Sequence, residues 1–106
     1  MNARDKSILV KFKELISKRV RVNRMFLFGS RARGDDEAGS DMDVLVIVEQ
    51  PEEYELLMFV YDCAYEAGLE CGVLLNVVVV SRDRWENSPE RSSLLAEAVR
   101  REGIAV

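Results

Sequence analysis

Apolar residues at Ile8, Leu9, Phe12, Leu15 and Ile16 recur with the i, i+1, i+4, i+7, i+8 spacing of a one-sided helix, with Lys6, Lys11, Lys13, Glu14 and Lys18 on the other side. The spacing predicts a helix over residues 5–19 that covers one face of a sheet. Val20-Arg21-Val22 leads into a strand over residues 23–28, closed by a sharp turn at Gly29-Ser30. A second strand is predicted from the apolar, β-branched run that follows Asp41 and ends at Val48. Pro51 sits where a first helical residue is expected, with Glu52 and Glu53 complementing the positive end of the helix dipole. Leu57, Val60, Tyr61 and Ala64 form the inward stripe of that helix, and Gly68 is its expected stop. Residues 73–80 are apolar on both parities except at Asn76, the pattern of a strand buried on both faces and hence central. Residues 81–87 read as a turn or short helix. Ser88 as N-cap, Pro89 at the first position and Glu90 in the first turn then open a last helix, with Leu94, Leu95, Ala98 and Val99 inward and Gly103 terminating it.

The order helix, strand, short helical turn, strand, helix, strand, helix predicts an α+β fold: a small mixed sheet with helices packed on it, in one domain over residues 1–106. If the link between the first two strands returns the chain to where the first strand ended, those strands are antiparallel. The turn and the start of the second strand then share one edge of the sheet.

Composition narrows the chemistry. A hydrophobic content of 48% suffices for a single core. No apolar run approaches the roughly 18 to 20 residues that span a bilayer, and the charged start MNARDK lacks a signal-peptide apolar region, so a cytoplasmic protein away from membranes is expected. The absence of histidine excludes His-based triads and zinc sites. Cys63 and Cys71 form no CxxC and are expected to be reduced and core-facing. A net charge of −4 argues against a polynucleotide partner, whose binding rests on neutralising many phosphates.

The chemistry concentrates in residues 29–48, GSRARGDDEAGSDMDVLVIV. Asp41 and Asp43 stand two apart at the start of a strand, so both carboxylates lie on one face and one divalent cation can touch both. Mg²⁺ prefers oxygen ligands, takes one or two protein carboxylates and completes its shell with water and substrate phosphates. A glycine followed by exposed amides and the Ser30 hydroxyl lets a phosphate approach the backbone closely.

Gly29-Ser30, ten residues, then Asp41-Met42-Asp43 resembles the signature of the minimal nucleotidyltransferases of the DNA polymerase β-like superfamily, and Arg31, Arg33 and Gly34 resemble its GSRARG form. The resemblance implies transfer of a nucleoside monophosphate from an NTP, ATP by preference, to an acceptor with release of pyrophosphate. Asp41 and Asp43 would be the catalytic, metal-holding pair for Mg²⁺, and Gly29, Ser30, Arg31 and Arg33 the nucleotide-binding residues. For each arginine the alternative is a solvated pairing with Asp35, Asp36 or Glu37, and both readings stay open. Members of this family are often encoded beside a small helical, nuclease-like toxin and act as its antitoxin, some by adenylylating it. In the resembled family a third aspartate commonly sits in the strand beside the DxD pair; here Asn76 stands at that position. An amide supplies no negative charge and cannot act as a general base. Glu70 just before the strand is a weaker substitute, more simply a solvated turn residue. The rival reading is therefore a non-catalytic module that keeps the fold, or the nucleotide pocket, and works by binding a partner. Tyr54, Tyr61 and Tyr65 read as packing or half-exposed helix residues rather than a base-stacking platform, two readings that spacing alone does not separate, and Trp85 as a core cap rather than a stacking or partner contact.

Overall fold

The protein is described here by a computed structural model over residues 1–34, 41–89 and 93–106. Among the described residues nine elements follow in order: α1 (Ala3–Ile16), β1 (Val22–Phe28), α2 (Ser30–Arg33), β2 (Met42–Val48), α3 (Tyr54–Leu69), β3 (Leu75–Ser81), α4 (Arg82–Asn87), α5 (Leu94–Glu102) and β4 (Ile104–Ala105). They make a mixed four-stranded sheet of order β3-β2-β1-β4 with helices on both faces, the α+β arrangement the sequence pattern predicts.

The anticipated antiparallel return is present. β1 and β2 pair antiparallel with Phe28 opposite Asp43, and a register shift lies between Val22 and Arg24. α3 then carries the chain to β3, which lies parallel to β2. Met42 and Val44 to Val48 are fully buried, so the strand covered on every side is β2. This corrects the expectation for β3, which lies at an edge and pairs only with β2 among the described residues. Helices cover both of its faces, and an apolar pattern on both parities reports covered faces whether or not both edges are paired.

α1 opens on Asn2, whose Oδ1 accepts the Asp5 amide at 2.7 Å. Its buried Ile8, Leu9, Phe12 and Ile16 pack with Val60, Cys63, Ala64 and Ala67 of α3 against Met25, Leu27, Val44 and Val46 of the sheet. On the opposite face Leu45, Ile47 and Val80 meet Val99 of α5, with Trp85 of α4 packed beside them as the expected core cap. The Arg100 guanidinium lies 5.7 Å from the Trp85 ring centre, within cation–π range.

Several local expectations are corrected. α3 begins at Tyr54 with Glu53 as its N-cap, leaving Pro51 outside. Glu52 instead crosses to accept from the Ser81 backbone N–H and the Arg84 guanidinium, a tertiary attachment that sequence spacing does not encode. Tyr61 is exposed, because α3 buries Val60, Cys63, Ala64, Ala67 and Gly68. Gly68 lies inside the helix, where an added Cβ would come within 2.0 Å of the Val73 carbonyl oxygen; its small size serves close packing, and the chain reverses after it. Cys63 is buried and Cys71 exposed, both as free thiols. The last helix is capped by Ser93, whose hydroxyl accepts from Ala96 N at 3.1 Å, so its register leaves Leu94 exposed and buries Ala96. Ser88 and Pro89 precede it, and Glu90 lies outside the described residues. Among the described residues no helix is long and apolar enough to cross a membrane.

Candidate active site

Gly29 ends β1 with φ +77° and ψ −158°, a backbone conformation that is essentially confined to glycine. A Cβ at this position would lie 2.3 Å from Asp43 Oδ2, so glycine is required for space as well as for conformation. The Gly29 carbonyl accepts from Ala32 and Arg33, each at 3.1 Å, and starts the single turn α2. Ser30 opens that turn, half-buried, directly after the glycine that touches Asp43. Backbone of the GS turn and the second carboxylate of the DxD pair are thus in contact.

Strand alternation sets the acids. Met42 points into the core at 0% exposure, so its neighbours Asp41 and Asp43 emerge on the other side, Asp41 exposed and Asp43 half-buried. Asn76 aligns with Asp43 across the parallel β2–β3 pair. Its side-chain amide donates to Asp41 Oδ2 at 3.0 Å. Gly29, Asp41, Asp43 and Asn76 therefore meet at one edge, built by the end of β1 and the starts of β2 and β3. Asn76 is exposed, so it is no buried structural amide.

The two arginines part company. Arg31 turns inward, its side chain 1% exposed, and its Nη1 lies 2.8 Å from Asp5 Oδ1, itself buried on α1. Removing one member of such a buried pair leaves an uncompensated charge and typically costs about 3 to 5 kcal/mol. This pair ties α2 to α1, and the Arg31 guanidinium is not presented to solvent, where a phosphate would meet it. Arg33 is half-exposed and contacts both carboxylate oxygens of Glu102, at 3.1 and 3.3 Å. Asp35, Asp36 and Glu37, the partners that the sequence offers for these arginines, lie outside the described residues. Asp5 was missed by the sequence reading, although a signal exists: it falls on the same helical face as Ile8, Leu9, Phe12 and Ile16, and a lone acid on an apolar face needs a partner.

Among the described residues no cluster of three or more His, Cys, Asp or Glu could hold a metal. Two hard carboxylates at a solvent-facing edge nevertheless fit Mg²⁺, which leaves most of its shell to water and phosphate oxygens.

Residues 9–106 match the nucleotidyltransferase domain family. The chain belongs to this family. A relative, "Putative protein adenylyltransferase MJ0604" of Methanocaldococcus jannaschii, is 35% identical over 65 residues, which are 61% of this chain; the match spans 60% of that relative's length. Among solved structures, a toxin–antitoxin with AMP-PNP shares the fold at TM-score 0.64 and 18% identity, over 91% of this chain and 69% of that one. A mutant of the toxin–antitoxin MntA-HpeT does so at TM-score 0.60 and 18% identity, over 99% and 72%. At such identities the likeness speaks for the nucleotidyltransferase fold.

Proposed function

We propose that the chain is a Mg²⁺-dependent nucleotidyltransferase that moves a nucleoside monophosphate from an NTP, ATP by preference, to a hydroxyl of a partner protein. The observation that carries this reading is the contact of Gly29 with Asp43, which sets the backbone of the Gly29-Ser30 turn beside the carboxylate pair. In the reaction the acceptor oxygen forms a bond to the α-phosphorus, the bond from that phosphorus to the bridging oxygen of the β-phosphate breaks, and pyrophosphate leaves with that bonding pair. Bound Mg²⁺ would supply charge neutralisation on the phosphates. Asp41 and Asp43 would hold it, the Gly29-Ser30 backbone and hydroxyl would seat phosphate oxygens, and the acceptor proton would pass to a carboxylate of the pair or to water. The protein's contribution is mainly positioning and electrostatics.

Membership of the family supports nucleotidyl transfer, and the adenylyltransferase name of the relative supports ATP and a protein acceptor. The toxin–antitoxin likeness supports a toxin as that partner; its small helical, nuclease-like character and a meeting place in the cytoplasm are what the family resemblance implies. A second reading, a nucleotide- or partner-binding module without turnover, is favoured by one observation: Asn76 presents an amide to Asp41 where a third carboxylate would complete the set. Incubation with α-labelled NTPs, Mg²⁺ and the product of the neighbouring gene decides between them. Label should appear on the partner, from ATP foremost, and vanish for Asp41→Asn with Asp43→Asn. Nucleotide binding with no transferred label supports the second reading.

A further inference from the structure

α3 carries a second apolar stripe that the fold leaves uncovered. Tyr54, Met58, Tyr61, Tyr65 and Leu69 recur at steps of three and four, so they line one side of the helix, and all are exposed, from 38% at Met58 to 74% at Tyr54. Tyr65 and Leu69 continue into a hollow against Val73 and Leu74 at the start of β3, where Leu74 is 57% exposed. Contiguous exposed apolar surface of this kind marks an interaction site more often than scattered residues do.

Charge says what fits there. Residues 51–81 contain Glu52, Glu53, Glu55, Asp62, Glu66 and Glu70 and no lysine or arginine. Glu55, Asp62 and Glu66 each directly follow a stripe tyrosine, which places them along one flank, and all three are exposed. A second copy fits poorly. Pairing α3 with α3 would set these acids against themselves, and α1, the basic helix of the chain, keeps Ile8, Leu9, Phe12 and Ile16 inside the core.

We propose that this face docks a basic amphipathic helix of a different protein, with apolar residues at i, i+4, i+7 and i+11 and lysine or arginine beside them. The Leu74 carbonyl accepts the N–H of Met42, the residue between Asp41 and Asp43, so the stripe ends at the candidate active site. A helix seated on it brings its own chain to that edge. Assigning this helix to the acceptor protein rests on the transferase reading; the docking does not.

The probe is a fluorescently labelled synthetic helix with leucine at those four positions and lysines flanking them, compared by anisotropy with a twin carrying glutamates instead. The lysine helix should bind at least tenfold more tightly. Tyr65→Ser with Leu69→Ser should weaken it tenfold or more at an unchanged melting temperature, since both side chains are exposed, and Asp62→Lys with Glu66→Lys should invert the preference between the twins. Asp41→Asn with Asp43→Asn should leave this binding intact, so loss of nucleotide transfer and loss of docking are read separately. Equal binding of the twins, or a preference that survives the charge reversal, overturns the proposal. A concentration-dependent dimer in sedimentation that Tyr65→Lys abolishes also overturns it, because the occupant is then a second copy.

Discussion

Asn76 is the side chain on which the proposed chemistry turns, because the third acid that the family resemblance implies would stand there. Its amide donates to Asp41 at 3.0 Å, so Asn76→Asp would face two carboxylates across a hydrogen-bond distance. Without metal that substitution should lower the melting temperature, since like charges so close disfavour joint ionisation. With Mg²⁺ the loss should reverse, metal affinity should rise, and any transferase activity should rise on the order of 10²-fold, the scale of a general-base contribution. Melting curves with and without Mg²⁺ test the pairing: destabilisation that metal does not relieve would remove Asn76 from the metal edge. Residues at this scale were legible where backbone geometry dictates the type. Gly29 next to Asp43, and the two acids on either side of Met42, follow from turn chemistry and strand alternation. Arg31 was not legible, because its partner Asp5 lies 26 residues away and only the tertiary fold brings them together.

Elements were legible where a periodic face is long and less so at their ends. The α1 stripe and the antiparallel return of β2 follow from pattern, whereas β4 has two residues and offers no periodicity to read. The entry to α3 shows a boundary decided by tertiary contact. Glu52 leaves the helix start to bind the Ser81 backbone and Arg84, and so fastens the β2–α3 connection to the β3–α4 junction, where the Ser81 hydroxyl caps α4 by accepting from Arg84 N at 3.2 Å. Burial pushes the Glu52 carboxyl up, but the hydrogen bonds from Ser81 and Arg84 and the charge of Arg84 outweigh it and hold the group below its ordinary 4.5. A depressed folded value means that the contribution is fully present above the unfolded value and fades as pH falls through the folded one. Glu52→Gln should therefore cost about 1 to 2 kcal/mol near neutrality, the range for a hydrogen bond to a charged group with a partly exposed partner. Denaturant titrations from pH 7 downward should show the gap between the two proteins closing below about pH 4.5. A constant gap would assign the cost to packing.

At the scale of the whole molecule the candidate site belongs to no single element. The turn after β1 gives Gly29, the start of β2 gives Asp43 with Asp41 just before it, β3 gives Asn76, and α1 holds α2 in place through Asp5 and Arg31. Apart from Asp41 and Asp43, which are two residues apart, these groups are distant in an unfolded chain, so Mg²⁺ with an NTP should bind the folded form almost exclusively. Binding then stabilises the fold by RT ln(1 + [L]/Kd), about 2.7 kcal/mol at a hundred times Kd. In a domain of this size each kcal/mol moves the midpoint by roughly 4 to 8 °C, so the rise in Tm should be roughly 10 to 20 °C. The rise should need both components, since two carboxylates alone bind Mg²⁺ weakly and an NTP without the cation meets their repulsion. It should disappear in Asp41→Asn with Asp43→Asn and survive Tyr65→Ser with Leu69→Ser, which alters only the outer face of α3. Scanning calorimetry with ATP, GTP, CTP and UTP in turn, each with and without Mg²⁺, would also order the bases by the size of the shift. If no NTP moves the midpoint in the presence of Mg²⁺, the edge built around Asp41 and Asp43 is no nucleotide site, and the chain keeps the nucleotidyltransferase fold for another purpose.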